Sequence, residues 1–206
     1  MLYLFVEKTV RSPNHSYRPD GLRSVQGMIC HWTATRGVSA LAVAEYLARP
    51  SVQAAANYVI GEEGLLVHGV RMSQAAWHAG LAHMDFNGDG DFSDKGEMSV
   101  NSSTVGVEFC GSVGGPWSNP QMYTAAMLMR RIERRCPNFR PRNVTDHQFV
   151  ALPHGRKVDV DKSFRCEAMF WWFLHPYSKL PSSNRHEVYK KLPLWAQRNC
   201  DEMWKA

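Results

Sequence analysis

Val25–Gln26–Gly27–Met28–Ile29–Cys30–His31 is a short apolar run that stops at an imidazole. Residues Ser24–Cys30 read as a buried strand with His31 at its end. A residue with lone pairs at a strand end invites a search for partners. Far downstream stand Thr145–Asp146–His147, after an apparent strand Asn143–Asp146, and then Gly155–Arg156–Lys157–Val158–Asp159. Two imidazoles and one carboxylate, with a fourth position left to water, have the composition of a catalytic zinc site rather than a closed structural one. If His31, His147 and Asp159 converge, hydrolytic chemistry follows. His154 is an alternative to His147, and Asp161 competes with Asp159. His147 is preferred because it directly follows an apparent strand.

Around that strand the other elements form a mixed pattern. Residues 10–24 are polar and turn-rich and read as a surface loop. Val38–Ala48 reads as a helix stopped by Pro50. Asn57–Gly61 and Leu65–Val70 read as strands joined by Glu62–Glu63–Gly64. Thr104–Cys110 alternates as a strand around Glu108. Asn119 reads as an N-cap with Pro120 at the first helical position, opening a helix to about Arg135. Its arginines gather at the C-terminal end, where the helix dipole favours them. Ser163–Phe173 reads as a helix and Glu187–Trp204 as one or two more. Strands and helices mix without a regular βαβ repeat. The expectation is therefore one α/β domain, a mixed central sheet flanked by helices.

With 206 residues the chain is long enough for one full core. The apolar fraction, 44%, is that of a folded protein rather than a disordered one. Lys and Arg exceed Asp and Glu by 24 to 19, a net +5 that suits an anionic partner, although a merely basic soluble protein has the same balance. No nucleic-acid motif accompanies the charge, so nucleic acid is not an expected partner. No apolar stretch approaches the ~18 residues of a membrane span. The first eight residues lack the basic start of a secretory signal and read as a strand. Synthesis in the cytoplasm is expected, so that any export needs another route. The five cysteines are odd in number and lack CxxC spacing, so they form no disulfide framework.

Several segments, taken in order, resemble one family: the zinc-dependent N-acetylmuramoyl-L-alanine amidases of the type-2 fold, which include phage amidases, cytosolic anhydromuropeptide amidases and peptidoglycan recognition proteins. The segments are His31–Trp32–Thr33–Ala34–Thr35, Ala55–Ala56–Asn57–Tyr58–Val59–Ile60 with Glu63–Gly64, Ala76–Trp77–His78–Ala79–Gly80, Asn101–Ser102–Ser103–Thr104–Val105–Gly106–Val107–Glu108, and Asp146–His147 with Gly155–Asp159. The resemblance spans about residues 25–175. It implies a catalytic domain over 1–175, with an inserted acidic loop at about 83–99 and a helical extension over 176–206.

The resemblance also implies roles. His31, His147 and Asp159 would hold zinc, and the bound water would ionise near pH 7. Glu108 would be the proton-transferring carboxylate and Lys157 the partner of the developing oxyanion. Trp32, Asn57, Trp77 and His78 would line the substrate groove, although Asn57 stands where relatives often carry His. The implied substrate is peptidoglycan or its muropeptides, cut between N-acetylmuramic acid and L-alanine by a monomeric lytic enzyme. A recycling amidase or a non-catalytic binding module are the alternatives. Asp159 is followed by Val160–Asp161 rather than Pro-Gly, which departs from the family's usual turn.

A second metal is suggested by Asp85–Phe86–Asn87–Gly88–Asp89–Gly90–Asp91, the opening of a calcium loop with Asp85, Asn87, Asp89 and Asp91 as oxygen donors. Position twelve is Gly96 with Glu97 one residue late, so it is no regular EF-hand. A solvated acidic loop accounts for the same residues.

Overall fold

The computed structural model describes residues 6–86, 99–112, 114–181 and 184–204. In chain order the strands are β1 Glu7–Thr9, β2 His15–Tyr17, β3 Gly27–Trp32, β4 Tyr58–Ile60, β5 Leu66–His68, β6 Gln74–Ala76, β7 Thr104–Phe109 and β8 Val144–Asp146. The α-helices are α1 Ala40–Leu47, α2 Val100–Ser103, α3 Asn119–Arg135, α4 His147–Val150, α5 Cys166–Leu174, α6 Arg185–Lys190 and α7 Leu194–Trp204. The predicted mixed α/β architecture is the one observed. Six strands form a sheet in the order β1-β5-β4-β7-β3-β8, parallel except for the β4–β5 hairpin. The apolar run that opened the sequence, β3, lies between β7 and β8 and is buried along its length, as an inner strand of a covered sheet must be.

The side-chain alternation of a strand separates two faces. Met28, Cys30 and Trp32 of β3 and Val105, Val107 and Phe109 of β7 enter the main core, where α3 and α5 cover them. Ile29 points the other way and packs with Ala79, Val100 and Val150. At the far end of the sheet α1 covers Val59 and Val67. The C-terminal helices are not a free appendage: Leu192, Ala196, Cys200 and Met203 share the main core, and Asn199 donates from Nδ2 to the Val144 carbonyl at 2.6 Å. All five cysteines are buried and free. Among the described residues no helix is long and apolar enough to cross a membrane.

Two expectations about local structure are corrected. Residues 10–24 are not simply a surface loop. They contain β2, which pairs antiparallel with β6, and Arg18 is fully buried. Its guanidinium donates to the carbonyls of Ser102, Gln74 (3.1 Å) and Thr104 (2.9 Å), which is how a buried charge avoids the cost of an unmade hydrogen bond. Nearby Asn14 is buried too, its Nδ2 donating to the carbonyls of Leu47, Arg49 and Ala54. A polar composition hid a polar anchor. The cap of α3 is Ser118, whose Oγ accepts from Gln121 N–H at 3.1 Å. Asn119, the expected cap, instead accepts at Oδ1 from Arg165 Nη1 at 2.6 Å.

Candidate metal centre

β3 and β7 run in parallel register with His31 opposite Glu108. Paired residues share a face, so the imidazole and the carboxylate emerge side by side on the face away from α3. On the other flank of β3, Cys30 is opposite Asp146, the last residue of β8. Asp146 ends the strand and caps α4, its Oδ1 accepting from Phe149 N–H at 2.8 Å. That cap starts a helical turn at once, and His147 is its first residue. Asp159 is held against the same turn because its carbonyl accepts from Gln148 N–H at 2.8 Å.

The three side chains meet. His31 Nδ1 lies 3.0 Å from His147 Nδ1, and Asp159 Oδ2 lies 2.9 Å from His147 Nδ1 and 3.8 Å from His31 Nδ1. All three ligand atoms fall within 4.8 Å of one another. Both imidazoles are almost completely buried. His147 donates from Nε2 to the Ala79 carbonyl at 3.0 Å, which fixes its tautomer and leaves the Nδ1 lone pair facing the cluster. A lone pair, a second imidazole nitrogen and a carboxylate oxygen this close could hold a cation between them. The residues present therefore fit a metal ion, and the donor set suits zinc.

The electrostatics agree with that fit. Burial holds the His31 imidazole down at about 4 against a smaller opposing pull from Asp159, so it is neutral and can ligate at neutral pH. Burial by itself would raise the Asp159 carboxyl, but the neighbouring His147 and His31 outweigh it, so the group is lowered and stays ionised. Glu108 is pushed up to about 8, first by burial and then by the Asp159 charge, with Lys157 opposing. A carboxyl poised there can hold or release a proton near neutrality.

His154, the alternative ligand, is exposed on the loop before Lys157 and lies outside the cluster. Asp161 is also outside it: its Oδ1 accepts from Ser163 N–H at 2.7 Å and shapes the turn into α5. The substrate-contact set divides. Trp32 and Glu108 line a cavity of about 450 Å³ with Val38, Val43 and Tyr46 of the α1 region. Trp77 is partly exposed and donates from Nε1 to Ser16 Oγ at 2.7 Å.

Asn57 is a correction, because it is fully buried. Its Oδ1 accepts from Gly106 N–H at 3.0 Å, and its amide faces the carbonyls of Val70, Arg71 and Gln74 at 3.3 Å each, so it clamps β7 instead of meeting substrate. His78 is placed against His31: its Nδ1 lies 3.0 Å from His31 Nε2. Of the expected calcium donors, Asp85 is described and joins no metal-type cluster, while Asn87, Asp89 and Asp91 lie outside the described residues.

Two residues unmarked in the sequence support the centre. Asn101 Oδ1 accepts from the backbone N–H of His78 (3.1 Å) and of Ala79 (2.8 Å). Arg156 donates to the carbonyls of Leu152 (2.7 Å) and Leu81 (2.9 Å), tying the Asp159 loop to the same segment. Asn101 opens one of the segments that carry the family resemblance. Arg156 stands three residues before Asp159 and has no pattern of its own.

Comparison with known proteins follows the same geometry. Residues 21–162 match the family model described as N-acetylmuramoyl-L-alanine amidase, a stretch that contains His31, Glu108, His147, Lys157 and Asp159. No curated protein matches the sequence. The fold is similar to that of a selenomethionine derivative of AmpD (21% identity, covering 82% of this chain and 97% of that one, TM-score 0.62). It is also similar to a mutant endolysin from Bacillus subtilis (19%, 71% and 86%, 0.51) and to AmpDH3 from Pseudomonas aeruginosa in complex with anhydromuramic pentapeptide (22%, 76% and 62%, 0.54). With more than half of its length and every residue of the centre inside the family match, the chain belongs to the N-acetylmuramoyl-L-alanine amidases, hydrolases of peptidoglycan.

Proposed function

We propose that the chain is a zinc-dependent lytic amidase that cuts the bond between the lactyl group of N-acetylmuramic acid and L-alanine. The observation that carries this reading is the convergence of His31, His147 and Asp159 beside Glu108 on adjacent strands. His31, His147 and Asp159 would hold zinc. When bound, the ion supplies a Lewis acid that polarises a carbonyl and makes water acidic.

The remaining chemistry belongs to the chain. Glu108 takes the proton of the attacking water at its carboxylate and returns it to the leaving amine of L-alanine. Its raised pKa, about 8 before any ion binds, suits both halves of that transfer once a nearby cation draws it down. Lys157 lies close enough to Glu108 and His31 to act on both electrostatically. It contributes positive charge where the carbonyl oxygen gains its own. Trp32, Val38, Val43 and Tyr46 give the cavity beside Glu108 an apolar wall that excludes water from the reacting bond and receives the aliphatic part of the stem peptide.

The test is product analysis. Purified protein is incubated with intact sacculi and, separately, with soluble anhydromuropeptides of the class bound in the AmpDH3 structure. Mass spectrometry is expected to find free L-alanine amino termini with no new reducing ends. New reducing ends would mean glycosidase chemistry and would overturn the reading. Release from anhydromuropeptides with sacculi untouched would replace the lytic role by a recycling one.

A further inference from the structure

We propose that the His78–Ala79 segment orients both histidine ligands of the metal, with His78 a positioning residue that presents His31 Nδ1 to the ion. The inference rests on the zinc reading and deepens it.

The hydrogen bonds leave one consistent direction. Thr104 Oγ1 donates to the Val100 carbonyl at 2.6 Å, and a hydroxyl has a single proton to give. Thr104 Oγ1 is also 3.2 Å from His78 Nε2, so it can only accept there and His78 Nε2 carries the proton. A neutral His78 protonated at Nε2 offers a lone pair at Nδ1. That atom is 3.0 Å from His31 Nε2, which must therefore be the donor. With its proton at Nε2, His31 points a lone pair from Nδ1 toward His147 and Asp159. The chain of bonds starts at a backbone carbonyl of α2 and ends at a ligand atom.

The next residue does the same for the second ligand. The Ala79 carbonyl accepts from His147 Nε2 and leaves His147 Nδ1 free. Asn101 Oδ1 accepts from both backbone amides of the segment and holds the pair at fixed spacing. Gly106 provides the room: a Cβ there would lie 2.4 Å from His78 Cγ, so a side chain at 106 would drive the ring off β7.

The experiment measures zinc affinity of metal-free protein by competition with a chromophoric chelator, together with long-range proton–nitrogen NMR of its histidines. In wild type the spectra are expected to show His31 and His78 both protonated at Nε2. His78→Leu removes the acceptor and is expected to weaken zinc binding by about 10–100-fold. His78→Asn puts an amide oxygen near the Nδ1 position and is expected to stay within about threefold of wild type, since one hydrogen bond of similar geometry is restored. Thr104→Val, which removes the far end of the chain, should weaken binding by about threefold to tenfold. A role limited to packing would favour Leu over Asn, the opposite order. Wild-type affinity in His78→Leu, an equal loss in His78→Asn, or a proton on His78 Nδ1 would overturn the proposal. Absence of zinc binding by wild type would instead overturn the zinc reading, and the two tautomers would still decide the His78 assignment.

Discussion

The two faces of the β3–β7 pair share a backbone and little else. On one, Met28, Cys30, Val105, Val107 and Phe109 are completely buried among aromatic and aliphatic partners and carry no charge. On the other, His31 and Glu108 stand in register at one end, above Gly106 and Ile29. The first face makes the strands rigid. The second uses that rigidity to hold ionisable groups that would not gather in a looser scaffold, because each has been taken partly out of water. Apart from Trp32, which belongs to the core and also lines the cavity beside Glu108, stability and chemistry separate by residue parity along these strands.

The comparison breaks most sharply at the ligands. Asp159→Ala or His147→Ala is expected to abolish stoichiometric zinc, read by elemental analysis, with activity falling about 10³-fold or more, because two ligands do not make a closed site. Glu108→Ala should retain the metal yet lose about 10²–10⁴-fold in kcat, the usual worth of a positioned acid–base group. On the opposite face Met28→Ala should cost about 2–5 kcal/mol in chemical denaturation while the folded fraction keeps wild-type kcat. A kcat loss there comparable to that of Glu108→Ala would mean that the faces are not independent.

Two smaller effects sharpen the contrast. Glu108 has its folded pKa raised to about 8 by burial. The folded metal-free protein thus holds a proton that the unfolded chain has already lost, and stability is present below about pH 4.5 and declines as pH rises toward and through 8. Glu108→Gln should remove that decline, making metal-free protein at pH 9 more stable than wild type by on the order of 2 kcal/mol in urea melts. His154→Ala, on an exposed loop, should leave zinc content unchanged and alter stability by less than about 0.5 kcal/mol.

What could be read beforehand follows from how each residue works. β3 announced itself by a continuous apolar run, His31 and His147 by being ligand types at strand ends, and Asp159 by its place in the Gly155–Asp159 segment. Family-like segments then supplied Glu108. Asn57 and Arg18 were opaque because their work is done on backbone carbonyls brought in from residues 70–74 and 102–104, and no spacing along the chain encodes that meeting. β6 is three residues long and pairs with a segment that reads as a loop. His78 was visible as a residue of interest, but its partner depends on a tautomer fixed by Thr104, the first residue of β7.

Arg18 bears on where the working unit of this molecule starts. The family match begins at residue 21, just beyond it. A protein engineered to start there would take the Arg18 donor from the carbonyls of Gln74, Ser102 and Thr104, strip β6 of its partner strand and take away the Ser16 acceptor of Trp77. Those carbonyls flank the His78–Ala79 segment on two sides, so the loss would be felt in metal affinity as well as in the melting curve. The stretch that matches the family therefore rests on contacts supplied by residues that precede it.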